Sequence, residues 1–281
     1  MKIAVVTHPR HPDIEDDDRP LAVALARRGA LVLSASWDDP DFAWEKLDLA
    51  LIRSTWDYHH RIDEFRDWLE RIETQTRVVN PPGIIRWNLN KRYLTELTDK
   101  GVHVVPTAFV SIGETASLRK ICGEHGWGTV VLKPAISADS WETIRIEPDR
   151  YPEGQAYLER HRAEREIMIQ PFVKDVEQGG EHSLMFFGGT YSHAVRKNSA
   201  FQGGRHVGPE GRPADPGKDA VDMAAVVLAA AGVSEIPYAR VDIARDEAGR
   251  PMLLELELFE PTLFFREKPG SEELLARVLM P

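Results

Sequence analysis

The chain has 281 residues, of which 42% are hydrophobic and 28% charged, and a formal net charge of −10. This length and composition allow a buried core, whereas the acidic balance argues against nucleic acid as a partner, because phosphate backbones need a basic surface. No apolar run approaches the roughly 20 residues that span a bilayer, and a single cysteine, Cys122, with no secretory signal favours a reducing, cytoplasmic setting.

The first 90 residues alternate short apolar runs with helical patterns. Residues 20–29 begin with Pro20 and end with Gly29, as helices often do. Strands alternating with helices predict β-α-β units around a parallel sheet. Residues 1–90 are therefore predicted to form an α/β domain, with strands at 2–6, 30–34, 47–53 and 77–80 and helices at 20–29 and 63–73.

The pattern changes after a break at Pro81-Pro82-Gly83. Gly188-Gly189 and the segment 246–250 each separate two strand-like runs, which predicts two antiparallel hairpins and an α+β organisation. Residues 202–218, rich in Gly and Pro, are predicted to form a long loop. The elements predicted in this part are helices at 90–100, 114–125 and 219–231 and strands at 107–110, 129–133, 167–173, 183–187, 191–197, 239–245 and 251–258.

The second hairpin carries the strongest chemical signal. Alternation places Arg240 and Asp242 on one face of the first strand, and Glu255 and Glu257 on one face of its partner. If these faces coincide, three carboxylates meet beside one guanidinium. Carboxylates together with substrate phosphates are the usual ligands of Mg²⁺. The alternative is a solvated outer face with cross-strand ion pairs.

Two lysines and one loop are candidates for phosphate binding. Lys133 ends an apolar strand, where a lysine can direct a point charge at phosphates. Lys91 begins a predicted helix, and the alternative is that it is a solvated surface residue. The segment 135–143 contains no glycine and is not a P-loop, but hydroxyl and backbone N–H groups can also face phosphates. The hydroxyl groups of this segment belong to Ser137, Ser140 and Thr143.

The run from residue 53 to residue 58 follows an apolar strand of the α/β domain. Open α/β sheets bind ligands at the carboxyl ends of their strands, so this run is a candidate substrate loop. The Arg53 guanidinium can pair with a substrate carboxylate in bidentate fashion, with Ser54 and Trp56 beside it and Arg205 as a further candidate. The alternatives are an ion pair between Arg53 and a nearby acid, and a packed loop with Trp56 in the core.

In chain order, these features resemble the ATP-grasp superfamily, especially the bacterial glutathione synthetase group. The resemblance covers nearly the whole chain, but the loop after Lys133 lacks the glycines of glutathione synthetases. It is carried by Asn80-Pro81, Asn88-Leu89-Asn90-Lys91, Val131-Leu132-Lys133-Pro134, Ile169-Gln170-Pro171-Phe172-Val173 and the acidic hairpin. The runs 53–58 and 133–138, Ser192-His193-Ala194-Val195 with Lys197, and Glu257-Leu258-Phe259-Glu260-Pro261 look most like the O-ureido-serine cyclo-ligases of cycloserine biosynthesis.

The resemblance implies a role for each matching residue. Arg240 would stabilise the charge of the transferred phosphoryl group, and Glu257 replaces the Asn that is usual among the metal ligands. The segment 169–173 resembles the strand that holds adenine, and Glu181 stands where an acidic residue usually meets the ribose. The implied ATP-binding residues are Lys91, Lys133, Gln170, Phe172, Val173, Glu181 and Lys197. The implied Mg²⁺ ligands are Asp242, Glu255 and Glu257.

The implied architecture is an ATP-grasp fold of mixed α/β and α+β class. An N-terminal α/β domain (1–90) precedes two subdomains (91–173 and 174–281) that clamp ATP. The implied activity uses ATP and Mg²⁺ to convert a small amino-acid-like carboxylate into an acyl phosphate. A nitrogen of a second substrate, or of the same molecule in a cyclisation, then displaces phosphate. The alternatives are a ligase that modifies a peptide or protein end and a non-catalytic nucleotide-binding module. A homo-oligomer is compatible with the sequence, which leaves the oligomeric state open.

Overall fold

The computed structural model describes residues 1–178, 180–197 and 211–281. Its strands form one parallel and two antiparallel sheets, which confirms the expected α/β unit followed by an α+β part. Each sheet lies within one of the three predicted ranges, and domain boundaries near residues 90 and 173 remain a proposal. Within the described ranges, no helix is both long and apolar enough to cross a lipid bilayer.

The N-terminal sheet consists of β1 (Lys2–Thr7), β2 (Leu31–Ser36), β3 (Leu49–Ile52) and β4 (Arg77–Val79). All its strands are parallel, in the order β2-β1-β3-β4, as the alternation of strands and helices predicted. Every residue of β3 is buried, which is typical of parallel strands covered on both faces. Helices α1 (Arg19–Arg27) and α2 (Ile62–Ile72) complete this unit.

Two short helices connect this sheet to the rest of the chain. Helix α3 (Pro82–Asn88) begins where a break was expected. The last strand of the N-terminal sheet ends before this break, and a helix can begin at it because proline is tolerated in the first helical turn, where its missing N–H removes no hydrogen bond. The helix predicted at 90–100 is shorter, α4 (Tyr93–Asp99). Lys91 lies in the turn before α4, and its backbone N–H donates to the carbonyl of Ala135 at 2.9 Å.

The middle sheet consists of β5 (Ala108–Val110), β6 (Val130–Pro134), β7 (Ile144–Ile146) and β8 (Ile167–Pro171), in the order β5-β8-β6-β7. Helices α5 (Leu118–His125) and α6 (Tyr151–His161) pack on it. Cys122 is buried in their common core, as a packing residue. Helix α6 was missed in the sequence because Gly154 lowers helix propensity. The glycine is needed for packing, since a Cβ there would lie 2.4 Å from Leu118 Cδ2.

The C-terminal sheet contains both predicted hairpins. It consists of β9 (Glu181–Phe187), β10 (Thr190–Lys197), β11 (Gly211–Pro213), β12 (Tyr238–Arg245) and β13 (Pro251–Glu257), in the order β11-β10-β9-β12-β13. Gly188 and Gly189 turn the first hairpin with φ of 56° and 74°, as a two-residue turn of this kind requires. Helix α7 (Asp175–Gln178) precedes the sheet, α8 (Lys218–Ala230) packs on it, and α9 (Ser271–Leu279) follows it.

The hydrophobic cores do not follow the order of the chain. Tyr93, Leu94 and Leu97 of α4 share a core with α8 and the C-terminal sheet, which Met168 of the middle sheet also joins. The last helix, α9, shares a core with α1 of the N-terminal unit. As a result, the loop between β13 and α9 runs along the N-terminal unit, beside the carboxyl end of β3.

Candidate active site

A cavity of 250 Å³ lies between the middle sheet, the C-terminal sheet and the loop that follows β3. Its lining is mixed in character. It includes an apolar part with Val105, Phe172 and Leu254, together with Trp56 and Glu260. It also includes the residues implied for phosphate, ribose and metal: Lys91, Lys133, Glu181, Lys197, Arg240, Asp242, Glu255 and Glu257.

The acidic hairpin has the expected register. Arg240 of β12 pairs with Glu257 of β13, and Asp242 pairs with Glu255. The two faces therefore coincide, and they face the cavity, because all four residues line it. The alternative of a solvated outer face is wrong, although the expected cross-strand ion pairs are present.

Asp242 is the most enclosed of these carboxylates, with 1% of its surface exposed. It accepts hydrogen bonds from Ser183 Oγ at 2.6 Å, Arg240 Nη2 at 2.9 Å and Lys197 Nζ at 3.0 Å. Burial alone would raise the pKa of Asp242, but Arg240 and Lys197 hold it well below its ordinary range. Lys197 is shared with Glu181, the residue implied for ribose. Asp242 thus pairs with both basic residues that the C-terminal sheet contributes to the cavity lining, Lys197 and Arg240.

Glu255 brings together the two predicted phosphate lysines. Its carboxylate lies 3.1 Å from Lys91 Nζ and 3.3 Å from Lys133 Nζ. Burial would raise the pKa of Glu255, but the two ammonium groups lower it to about 2. Lys91 also donates to the carbonyl of Ser137 at 2.7 Å and is 5% exposed, so the alternative of a solvated surface lysine is wrong.

Glu257 and Glu260 experience the opposite balance. Burial raises the pKa of Glu257 to about 7, helped by the carboxylates of Asp242 and Glu255 and opposed by its ion pair with Arg240. Burial and the nearby charge of Glu257 raise the pKa of Glu260 well above its ordinary range. This part of the cavity therefore holds more acidic than basic groups.

The apolar part of the cavity lining includes the segment expected to hold adenine. Gln170, Phe172 and Val173 all line the cavity. Gln170 donates from its side chain to Thr107 Oγ1 at 2.9 Å, which fixes the position of its amide. The ring of Phe172 lies under the guanidinium of Arg145 at 3.9 Å. Arg145 was missed because its strand, β7, has only three residues and too little alternation to be predicted.

The loop between β6 and β7 borders the charged part of the cavity without any glycine. Asp139, Ser140 and Glu142 adopt left-handed φ values of 51°, 53° and 51°, a conformation that is costly for residues with a Cβ. Trp141 holds this loop from outside, with its ring centroid 5.0 Å from that of His59. The hydroxyl-bearing residues expected near phosphates all line the cavity: Ser137, Ser140 and Thr143.

The prediction that Arg53 binds a substrate carboxylate is wrong. Arg53 does not line the cavity, and only 1% of its side chain is exposed. Its Nε donates to Asp18 Oδ1 at 2.9 Å, and its Nη2 donates to the carbonyl of Pro261 at 2.5 Å. Because Asp18 neutralises its charge in the interior, the guanidinium is a structural group. Asp18 was missed in the sequence because it stands in an acidic run, 15–18, that reads as solvated surface.

The other substrate candidates are placed differently. Ser54 is completely buried and does not reach the cavity, so its proposed substrate contact is also wrong. Trp56 does line the cavity, and its indole N–H donates to the carbonyl of Glu260 at 3.0 Å. Arg205, and with it most of the predicted 202–218 loop, lies outside the described residues.

The carboxylates suit Mg²⁺ only in combination with phosphate oxygens. In the described part of the chain, no three Asp, Glu, His or Cys residues are arranged as a metal site by themselves, because each carboxylate of the hairpin is engaged by Lys or Arg. Glu255 and Glu257 have side chains that are each 22% exposed, towards the cavity. Since Mg²⁺ usually takes one or two carboxylates plus substrate phosphates, this donor set fits the ion with a bound nucleotide.

Comparison with known proteins gives a consistent result. Residues 3–80 match the family model of the D-cycloserine synthetase DcsG N-terminal domain. The cycloserine biosynthesis protein DcsG of Streptomyces lavendulae is 32% identical over 274 residues, 93% of this chain and 92% of that protein. A crystal structure of D-cycloserine synthetase DcsG, 30% identical, matches with a TM-score of 0.93 and covers 99% of this chain and 98% of that one. The ATP-grasp ligase PsnB, solved with a minimal precursor, Mg and ADP, shares the fold at 17% identity, with a TM-score of 0.65 over 99% of this chain and 97% of that one.

Proposed function

The chain belongs to the DcsG family of ATP-grasp carboxylate–amine ligases, and from this premise we propose its substrate class and the roles of its site residues. The substrate is a small amino-acid-type carboxylate, which is activated as an acyl phosphate and attacked by a nitrogen of the same molecule. In this proposal the enzyme is an ATP- and Mg²⁺-dependent cyclo-ligase of cycloserine biosynthesis, as the name of its Streptomyces relative indicates.

One observation carries the proposal. Lys91 and Lys133, from separate parts of the chain, meet at the single carboxylate of Glu255, and Lys197 and Arg240 meet at Asp242. Four basic groups are thus held at one cavity by acids that a divalent cation can also use. A magnesium-bound triphosphate carries both kinds of charge. Its phosphate oxygens can pair with the lysines and the arginine, and its metal can bind the carboxylates that these basic groups release.

These charges support a two-step reaction. A substrate carboxylate oxygen attacks the γ-phosphorus, and ADP leaves with the electron pair of the broken P–O bond. The nitrogen then attacks the acyl carbon, phosphate leaves with the C–O electron pair, and the nitrogen loses a proton. Arg240, fixed by Asp242 and Glu257, offers a preorganised positive charge to the phosphoryl group. Asp242, Glu255 and Glu257 would hold Mg²⁺, which would supply Lewis-acid chemistry when bound.

An ADP-release screen tests the proposed function. The panel contains amino acids, O-ureido-serine, aminooxy amino acids, dipeptides and short peptides, and products are identified by mass spectrometry. We expect ADP release with small amino-acid derivatives and a cyclic product from O-ureido-serine. The screen is repeated with Lys133→Ala, which should release less ADP. Lys120→Ala is its matched control, because Lys120 is an exposed helix residue that does not line the cavity. ADP release with peptides only would replace the proposal by the alternative of a peptide- or protein-modifying ligase.

A further inference from the structure

The segment after β13 is held by side chains at every consecutive carbonyl from residue 258 to residue 262. Two of these donors come from the loop after β3, and two from β12. Because neither the path nor the orientation of this backbone is free, the side chains that it carries are fixed in direction. The donors are Asn80 to Leu258, Tyr238 to Phe259, Trp56 to Glu260, Arg53 to Pro261 and Arg240 to Thr262.

This backbone carries the side chain of Glu260, which lines the cavity and is 8% exposed. Its charge interacts with those of Glu257, Lys91 and Asp139, all of which line the same cavity. The carboxylate of Glu260 nevertheless has no hydrogen bond and no ion pair within the described part of the chain. By contrast, Asp242, Glu255, Glu257 and Glu181 are each paired with Lys or Arg.

The basic groups near Glu260 are already engaged. Lys91 pairs with Glu255 at 3.1 Å, and Arg240 pairs with Asp242 at 2.9 Å. A buried carboxylate without a partner is costly, and a ligand cation that pairs with it offsets this cost. The group that would complete Glu260 is therefore a cation with hydrogen-bond donors, because Lys91 and Arg240 are engaged by other carboxylates.

We propose that Glu260 binds the α-ammonium group of the substrate and thereby selects amino acids over carboxylic acids that lack this group. The assignment rests on the proposed function. In an α-amino acid, the ammonium group is separated by only one carbon atom from the carboxylate that is phosphorylated. Glu260 lines the same cavity as Arg240, the residue proposed to act on the transferred phosphoryl group, and the two charges interact. In a cyclisation through another nitrogen, the α-ammonium group stays intact, so Glu260 acts in binding and selection.

The test compares O-ureido-serine with its des-amino analogue, 3-(ureidooxy)propanoate, in the wild type, Glu260→Gln and Glu235→Gln. Glu235 is an exposed glutamate outside the cavity and is the matched control. We expect Glu260→Gln to lower kcat/KM for O-ureido-serine by about 10- to 100-fold, the range of a hydrogen bond to a charged group. For the analogue, we expect Glu260→Gln to lower kcat/KM less than threefold. The KM for ATP should stay unchanged, and Glu235→Gln should have wild-type values for both compounds.

Three results would overturn the assignment. The first is an equal decrease of kcat/KM for both compounds in Glu260→Gln. The second is a decrease of kcat with KM unchanged, which would make Glu260 a proton acceptor. The third is a lower melting temperature of Glu260→Gln, which would make the carboxylate a structural group. Calorimetric binding of both compounds with a non-hydrolysable ATP analogue and Mg²⁺ needs no turnover. A wild type that binds O-ureido-serine at least tenfold more tightly than the analogue, but forms no product, would refute the proposed function and support the assignment.

Discussion

The buried ion pair between Arg53 and Asp18 gives the sharpest test of the corrected role of Arg53. The side chains are 1% and 5% exposed, and their atoms are 2.9 Å apart. Asp18→Asn keeps the shape of the side chain but removes the ion-pair partner of Arg53, whose buried charge then interacts only with the more distant carboxylate of Asp17. Removing one partner of a buried pair costs about 3–5 kcal/mol. For a chain of this size, that corresponds to a decrease of about 5–15 °C in melting temperature.

Differential scanning fluorimetry of the nucleotide-free protein measures this effect. The matched control is Asp63→Asn, which breaks an exposed pair with Arg66, whose side chains are 89% and 47% exposed. That change should lower stability by no more than about 0.5 kcal/mol. The double variant Arg53→Met, Asp18→Leu should lose less than the sum of the single changes, because it leaves no buried charge. A melting temperature of Asp18→Asn within about 2 °C of the wild type would contradict the structural role of this pair.

Three further predictions concern the cavity and its supports. Glu255→Gln should reduce ADP formation by about 100-fold or more, because it removes a carboxylate that Mg²⁺ and the two lysines share. It should also lower the melting temperature, because the buried Lys91 loses its ion pair, so activity is compared at a temperature where the variant is folded. Wild-type turnover would contradict the metal assignment. ATP should raise the melting temperature by binding the native state. Lys133→Ala should lose most of that increase, whereas Lys120→Ala should keep it. An equal increase in both variants would show that Lys133 does not contribute to nucleotide binding. Burial, with His60 and Lys91, lowers the pKa of His59 from 6.5 to about 3. Between these two values the unfolded chain binds a proton that the folded chain does not. The free energy of unfolding should therefore fall below pH 6.5, by about 2 kcal/mol at pH 5. Chemical denaturation of His59→Asn should show a smaller fall over this range, and identical pH profiles would refute the buried neutral His59.

The sequence determined the features that depend on local pattern. Alternation fixed which residues of β12 and β13 share a face, so the group of Arg240, Asp242, Glu255 and Glu257 could be predicted before their register was known. Turn glycines located the hairpins, and the order of strands and helices predicted the parallel N-terminal sheet. The resemblance added Lys91, which by its own surroundings in the sequence looks like a surface lysine.

Only the tertiary structure decided which charges are free and which are neutralised. In the sequence, Arg53 has the position and the chemistry of a carboxylate-binding residue, but its partner Asp18 comes from a segment 35 residues away. Glu260 stands in a run that contains Glu257, a proposed metal ligand, yet nothing in that run shows that the Glu260 carboxylate has no ion pair among the described residues. Pairing of buried charges depends on packing between distant segments, and a burial cost of several kcal/mol per charge makes that pairing decisive for the role of each residue.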